Sequence, residues 1–136
     1  MPGHSYNRTG MRMSYLCLTD EDAASVRAAQ PAEGELVGAA WQLAALADPT
    51  RLRVALVLAT SGELCVGDTA TLLDLPLKLV SHHVRALAER GLASKERDGK
   101  LIRYRLTEDA QRLLEAAFGR AIPAHVDLHA RSSSVQ

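Results

Sequence analysis

The chain has 136 residues, of which 47% are hydrophobic, 24% charged and only 4% aromatic, with a formal net charge of zero at pH 7. This length supports one compact core, and the low aromatic content disfavours single-strand nucleic-acid binding by base stacking. No apolar run approaches the roughly 20 residues of a membrane-spanning helix and no signal-peptide pattern opens the chain, so we expect a soluble, cytoplasmic protein.

The neutral net charge conceals two segments of opposite charge. Residues 18–48 contain six acids and one base, whereas residues 78–105 contain eight bases and three acids. A basic segment inside a neutral protein indicates a local binding surface for a polyanion. A solvated helix and hairpin would be the alternative explanation of this charge.

The N-terminal half is predicted to be helical after a short arm. Residues 1–16 lack hydrophobic periodicity and are predicted to form a flexible N-terminal arm. Thr19 and the three acids after it are typical of a helix start, which predicts a helix over 18–30. Apolar spacing predicts a second helix over 35–47, and an Asp-Pro pair then begins a third over 49–60.

The middle of the chain has the pattern of two helices joined by a tight turn. The first is predicted over 65–73, the turn at Asp74 and Leu75, and the second from Pro76 to about Arg90. Gly91 suits the left-handed position that follows a helix. This order is typical of a helix-turn-helix, with residues 76–90 as the recognition helix.

A hairpin and a last helix complete the prediction. Segments 92–97 and 101–106 flank an Asp-Gly pair, which favours a tight hairpin turn. Thr107 then caps a helix that extends through Phe118. The fold class predicted is mainly α with a β-hairpin wing. The expected domain is residues 17–120, between the arm at 1–16 and a C-terminal tail at 121–136.

Four motifs together resemble the ArsR/SmtB family of metal-sensing repressors, over roughly residues 35–118. The resemblance implies a winged helix-turn-helix homodimer that represses metal-resistance genes and releases its operator when metal binds. The motifs are the ALADPTRLR segment (Ala45–Arg53), the ELCVGD box (Glu63–Asp68), SHHVRAL (Ser81–Leu87) and the wing residues Arg97–Lys100 with Tyr104–Leu106.

The N-terminal segment is similar to one branch of that family. Cys17 and the residues after it resemble the arm of the cadmium/lead sensors, whose cysteine meets the cysteines of the metal box. Two positions depart from the pattern, since Gly67 replaces the second cysteine of the box and Met13 replaces the other cysteine of the arm. A site of three or four thiolates is therefore not expected.

The resemblance implies that Cys17 and Cys65 are metal ligands, with Asp68 as an additional candidate. Thiolates select soft ions, and two sulfurs suit mercury(II), which we rank narrowly above cadmium/lead. Zinc ranks lower because it takes four ligands, for which Asp68, His4 or Asp20 would be needed. Two alternatives stay open: Cys65 as a small buried hydrophobic residue, and a thiol redox sensor of the same fold.

The C-terminal segment holds a second cluster of metal-ligand types, His125, Asp127 and His129. A spacing of two places all three on one face of an extended strand. The cluster follows Pro123 and has no partner pair downstream, so a polar tail is the favoured interpretation.

Duplex DNA is the expected partner of the basic segment. The recognition helix should contact bases through Lys78, Ser81, His82 and Arg85, and the wing should contact phosphates or a minor groove through Arg97, Lys100 and Arg103. His83 is expected to be packed rather than to contact a base. Pro76, Leu77 and Leu79 stand where the family usually has small polar residues.

Two other classes of function are less consistent with the sequence. A winged helix used for protein contact is disfavoured by the basic segment, and salt-sensitive duplex binding would distinguish the two. An enzyme is not expected, because the chain has no Gly-rich phosphate loop and no paired-carboxylate pocket.

Overall fold

The computed structural model describes residues 5–6 and 12–123. The chain divides into two compact units, residues 1–37 and residues 38–136. The boundary falls within the helix α2 (Glu33–Leu46). None of the helices in the described ranges is long and apolar enough to cross a membrane.

The first unit contains a small strand pair and a helix. Strand β1 (Ser5–Tyr6) pairs antiparallel with β2 (Arg12–Met13), within the segment predicted as a flexible arm. Strand pairing uses backbone N–H and C=O groups, so side-chain periodicity did not reveal it. Helix α1 (Asp20–Ala28) begins as predicted after Thr19, whose hydroxyl accepts a hydrogen bond from the Asp22 N–H at 3.0 Å.

Apart from the short strand β3, which was not predicted, the second unit has the predicted order of helices and strands. It consists of α3 (Pro49–Ser61), β3 (Leu64–Cys65), α4 (Val66–Leu73), α5 (Leu77–Glu89), β4 (Ala93–Asp98), β5 (Leu101–Leu106) and α6 (Glu108–Phe118). Asp48 caps α3 by accepting from the Thr50 N–H at 2.9 Å, and Asp74 ends α4 in the left-handed region, with φ 54°. Helices α4 and α5 with the β4–β5 hairpin form a winged helix-turn-helix.

One predicted boundary is wrong in a way that matters for the candidate site. The predicted helix over 65–73 begins one residue later, because Cys65 has extended backbone and lies in β3. Strand β3 pairs antiparallel with β5, which places Cys65 opposite Arg103 and gives a sheet of order β3-β5-β4. The wing is therefore a three-stranded sheet rather than a hairpin alone.

The core of the second unit lies between α3, α5, α6 and the sheet. Leu58, Leu87, Leu92 and Leu114 are fully buried there, and Ile122 joins the same cluster. Burying each such side chain contributes about 1.5–3 kcal/mol of transfer free energy. Because α5 packs against α3, α4 and β4, its buried face is held from several sides and its opposite face is left to solvent.

Candidate nucleic-acid interface and thiol site

The exposed face of α5 carries the side chains predicted to contact bases. Lys78, His82 and Arg85 are exposed and Ser81 is half-buried. Their spacing of three and four residues aligns them along one side of the helix. The Arg85 side chain donates through Nε to the Ser81 carbonyl oxygen at 3.2 Å, which orients its guanidinium along that side.

The opposite face of α5 is anchored to α3 through His83. This imidazole is only 4% exposed and accepts a hydrogen bond at Nδ1 from Arg51 Nε at 3.2 Å, while the Asp48 carboxylate lies 4.0 Å from the same nitrogen. Burial lowers the pKa of His83, and the Arg51 guanidinium lowers it further, against the opposing effect of Asp48. The prediction that His83 is packed is confirmed. Its partner, Arg51, is a side chain on α3.

The basic residues of the wing are not equivalent. Arg97 and Lys100 are exposed at the hairpin end, and Arg97 Nε donates to the Gly99 carbonyl at 3.3 Å. Arg103, in contrast, is ion-paired with Glu63 at 3.4 Å and with Asp98 at 3.3 Å. Part of the positive charge predicted for phosphate contacts is therefore balanced within the protein.

Glu63 is the charged residue that the motif analysis did not assign to a site. Its two carboxylate oxygens accept from Arg103 at 3.4 Å and from Arg105 at 3.0 Å. The hydrogen bond from Arg105 is the largest cause of a lowered pKa of Glu63, with Arg103 acting in the same direction. These partners are 40 and 42 residues away in the chain, so no local spacing could have indicated them.

Cys65 lies where the sheet joins the helix-turn-helix. As the N-cap of α4 it accepts the Asp68 N–H at Sγ, at 3.4 Å, and its carbonyl accepts from the buried Thr69 hydroxyl at 2.9 Å. The side chain is half-buried and its thiol is free. A change at this sulfur thus acts on a residue that is both paired with the wing strand β5 and attached to the helix packed on α5.

The structure describes some of the other predicted ligands and not the rest. Cys17 is exposed with a free thiol and belongs to the first unit, whereas Cys65 belongs to the second. Asp68 is exposed in the first turn of α4. His4, His125, Asp127 and His129 lie outside the described residues.

Within one protomer, the described residues form no preassembled cluster of three or four metal ligands. Over residues 5–6 and 12–123, no three His, Cys, Asp or Glu residues come together in a way that could hold a metal ion. Gly67 stands at the position of the missing box cysteine. There is room for a side chain at this position, since a Cβ there would lie 4.0 Å from Cys65 Sγ, an ordinary contact. The described residues of one protomer therefore do not supply the four ligands of a tetrahedral zinc site.

Helix α2 presents a large apolar surface. Leu36, Val37, Trp41 and Leu43 are all about half exposed, and exposed alanines lie between them. At its C-terminal end, the Trp41 ring is covered by the Arg90 guanidinium at 5.2 Å, and Gln42 Nε2 donates to the Arg90 carbonyl at 3.0 Å. These contacts attach α2 to the C-terminus of the recognition helix.

Comparison with known proteins gives a consistent set of relatives. A family model described as bacterial regulatory protein, arsR family, matches residues 48–95. A cadmium resistance transcriptional regulatory protein CadC homologue from Staphylococcus aureus is 41% identical over 75 residues, which is 54% of this chain and 62% of that protein. The arsenical resistance operon repressor of Escherichia coli (strain K12) is 45% identical over 62 residues, 46% of this chain and 53% of that protein. The chain thus matches between half and two thirds of the length of these curated relatives.

A solved structure supports the fold along more of the chain. The homodimeric winged helix-turn-helix DNA-binding domain of a possible ArsR-family transcriptional regulator from Mycobacterium bovis superimposes with a TM-score of 0.60 at 30% identity. The match covers 67% of this chain and 87% of that domain. The proteins named here are described as transcriptional regulators and none as an enzyme.

Proposed function

The chain belongs to the ArsR family of bacterial regulatory proteins, and on that premise we propose that it is a transcriptional repressor whose affinity for operator DNA falls when a soft metal ion binds. The observation that carries the proposal is the position of Cys65, at the junction between the wing sheet and the helix-turn-helix. A thiol there can influence both elements that would contact DNA.

DNA binding is supported by the arrangement of charge. The exposed side of α5 is suited to the major groove, with Lys78, Ser81, His82 and Arg85 as base or phosphate contacts. On the wing, Arg97 and Lys100 are the phosphate contacts we expect first, and Arg103 contributes once its carboxylate partners are displaced.

Assembly as a homodimer is supported by α2. Its half-exposed apolar side chains form a surface of the kind that marks a protein interface. The similar Mycobacterium bovis domain is described as homodimeric. Two copies would present two recognition helices, which must lie about 34–36 Å apart to enter successive major grooves.

We assign the effector site to Cys65 and Cys17, with Asp68 as a further oxygen ligand. The two thiolates come either from one protomer or from both. Mercury(II) ranks first because it accepts two sulfurs without further ligands, cadmium and lead rank next, and zinc ranks last. The relatives named for cadmium and arsenical resistance support a thiophilic effector.

The switch follows from what Cys65 touches. A ligand changes DNA affinity only if it binds the DNA-free form better, and such couplings are typically about 1–3 kcal/mol. Drawing Cys65 Sγ toward a metal would weaken its cap bond to Asp68 and disturb the pairing with β5. Both effects would shift the recognition helix and the wing relative to the duplex.

Fluorescence anisotropy with a labelled duplex tests the proposal. The duplex is first selected from a random library, and the full chain is then titrated with mercury, cadmium, lead, arsenite and zinc. We expect a soft ion to weaken binding about 5- to 150-fold. Cys65→Ser should bind DNA as tightly as the original chain but no longer respond.

Two results would contradict the proposal. If none of these ions changes the affinity, metal sensing is wrong. If Cys65→Ser itself abolishes DNA binding while the fold is retained, Cys65 is structural. Cys17→Ser is the companion variant, and it should lose the metal response to the same extent if Cys17 is the second ligand.

A thiol redox sensor is the second candidate, favoured by the presence of only two cysteines in the chain. Two thiols can be oxidised to a disulfide, with two electrons and two protons passing to the oxidant. Under this alternative, diamide or peroxide should release the duplex from the original chain but not from Cys17→Ser, and the metal ions should have no effect.

A further inference from the structure

The first turn of the recognition helix presents two leucines to solvent. Leu77 is 57% exposed and Leu79 is 38% exposed. At 3.6 residues per turn, consecutive residues are about 100° apart, so the two leucines flank Lys78 on either side. They border the polar stripe that Lys78 begins and that His82 and Arg85 continue.

Packing within the fold does not explain why leucines occupy positions 77 and 79. Leu73 and Leu75, only a few residues earlier, pack against the hydrophobic core, whereas Leu77 and Leu79 do not belong to it. Leucine side chains on this exposed surface leave apolar area in water, and a partner that covered them would remove that area from water. The flanking cations indicate that this partner is negatively charged.

Duplex DNA combines negative charge with one apolar group at the right place. The major groove is bordered by phosphates, and the only apolar group on its base edges is the C5-methyl of thymine. The N-terminal residues of a recognition helix are the ones that contact base edges. Leu77 and Leu79 occupy the first and third positions of that helix.

We propose that Leu77 and Leu79 contact thymine methyl groups and so determine part of the operator sequence. Each leucine then selects a thymine on its own side of Lys78, giving thymine-dependent positions in each half-site. This inference rests on the proposed function, since it requires that α5 enters the major groove.

Deoxyuridine substitution tests the proposed leucine contacts directly, because deoxyuridine lacks only the methyl group and keeps the hydrogen-bonding groups of thymine. Duplexes are selected from a random library with the full 136-residue chain. Each thymine of the selected site is then replaced in turn. We expect an affinity loss of about three- to fivefold at one or two thymines of each half-site, as for the loss of one buried methyl group.

Variants assign the effect to the leucines. In Leu77→Ser or Leu79→Ser, deoxyuridine should cost no affinity at the thymine that the missing leucine contacted, while sensitivity at the other thymine stays. Leu72→Ser is the matched control, since Leu72 is 65% exposed on α4 and outside the recognition helix. Leu72→Ser should lose as much affinity on deoxyuridine substitution as the original chain does. Alanine variants replace any serine variant that does not fold.

The outcomes separate this inference from the proposed function. Tight, salt-dependent duplex binding that is insensitive to deoxyuridine at every thymine overturns the role of the leucines and leaves the repressor intact. Sensitivity that persists unchanged in both leucine variants also overturns it. If no duplex is enriched and binding shows no salt dependence, both the repressor and the leucine contacts are wrong.

Discussion

A single buried imidazole attaches the recognition helix α5 to α3. His83 is neutral when it accepts the hydrogen bond from Arg51, and protonation would place a second positive charge beside that guanidinium. The groups that face His83 are Arg51, Asp48 and His82, and only Asp48 favours the charged form. The folded state therefore binds a proton at this site less readily than the unfolded chain does.

Because of this residue, the free energy of unfolding is predicted to decrease as the pH falls. Because the pKa of His83 in the fold lies below its ordinary value of 6.5, the unfolded chain binds more protons just below that pH. The contribution of neutral His83 to the free energy of unfolding is complete above pH 6.5. It is lost as the pH falls toward the pKa that His83 has in the folded protein. Urea unfolding at pH 7.5 and 5.5 should show less pH dependence in His83→Asn than in the original chain.

His82→Asn serves as the control for that experiment, because His82 is the neighbouring exposed histidine. It should keep most of the pH dependence of the original chain, because the charge of His82 is the smallest of the influences on His83. An unchanged pH dependence in His83→Asn would show that another group is responsible.

Gly67 is the second residue whose identity can be tested. The Gly67→Cys substitution should place a second thiol beside Cys65, because a Cβ at this position meets nothing closer than Sγ at 4.0 Å. An additional thiolate favours cadmium and lead, so cadmium affinity should rise by about an order of magnitude or more. Thiolate-to-metal absorption and competition with a chelator would measure the cadmium affinity.

Gly67→Ser controls for size and for the general gain in helix propensity over glycine. It should bind cadmium as weakly as the original chain. If Gly67→Cys binds cadmium no more tightly than Gly67→Ser, the box does not form a thiolate site.

At the scale of elements, the short strand β3 links the thiol to the wing. Leu64 pairs with Tyr104 and Cys65 with Arg103, while Glu63 joins Arg103 and Arg105 just before the strand begins. The wing is thus held by backbone pairing on one side and by an ion-pair network at its end. This network also reduces the positive charge that the wing offers to phosphates.

Replacing Glu63 should therefore increase affinity for DNA. In Glu63→Gln, Arg103 and Arg105 lose their shared carboxylate, and we expect about one additional phosphate contact per protomer. Anisotropy titrations over a NaCl series should show tighter binding at low salt and a steeper salt dependence. The accompanying loss of stability should be small, as is usual for exposed ion pairs.

Glu108→Gln removes the same charge from α6 and is the matched control. It should leave the salt dependence close to that of the original chain. Weaker DNA binding by Glu63→Gln would indicate instead that Glu63 is needed to hold the wing in its binding geometry.

At the scale of the whole molecule, the proposed function requires two copies. One protomer presents a single recognition helix, and its α2 leaves several apolar side chains half exposed. Pairing through α2 would bury them. The contacts of Trp41 and Gln42 with Arg90 would then connect the interface to the end of α5.

A charge on this surface should separate the protomers. Leu43 is 54% exposed, so Leu43→Glu should leave the fold intact but bury a carboxylate in the dimer. We expect a monomer in sedimentation velocity at micromolar concentration, and weaker binding to a two-half-site duplex. Leu72→Glu, on the exposed part of α4, should remain dimeric. A dimeric Leu43→Glu would place the interface elsewhere.

The order of elements in this protein was determined by local sequence. Helix starts follow from Thr19, Asp48 and Thr107, which cap their helices by side-chain hydrogen bonds within two or three residues. The hairpin follows from Gly99, whose φ of 62° suits the turn between β4 and β5. Such rules act over a few residues, which is why the winged helix-turn-helix could be predicted from the sequence.

The connections within the candidate site were decided by tertiary structure. The pairing of β3 with β5, the Arg51–His83 bond and the ion pairs of Glu63 join residues 32 to 42 positions apart. No periodicity or spacing encodes such partners, because they depend on how α3, α5 and the sheet pack around the core. The sequence alone therefore determined which residues carry thiols and charges, and only the fold decided which of them meet.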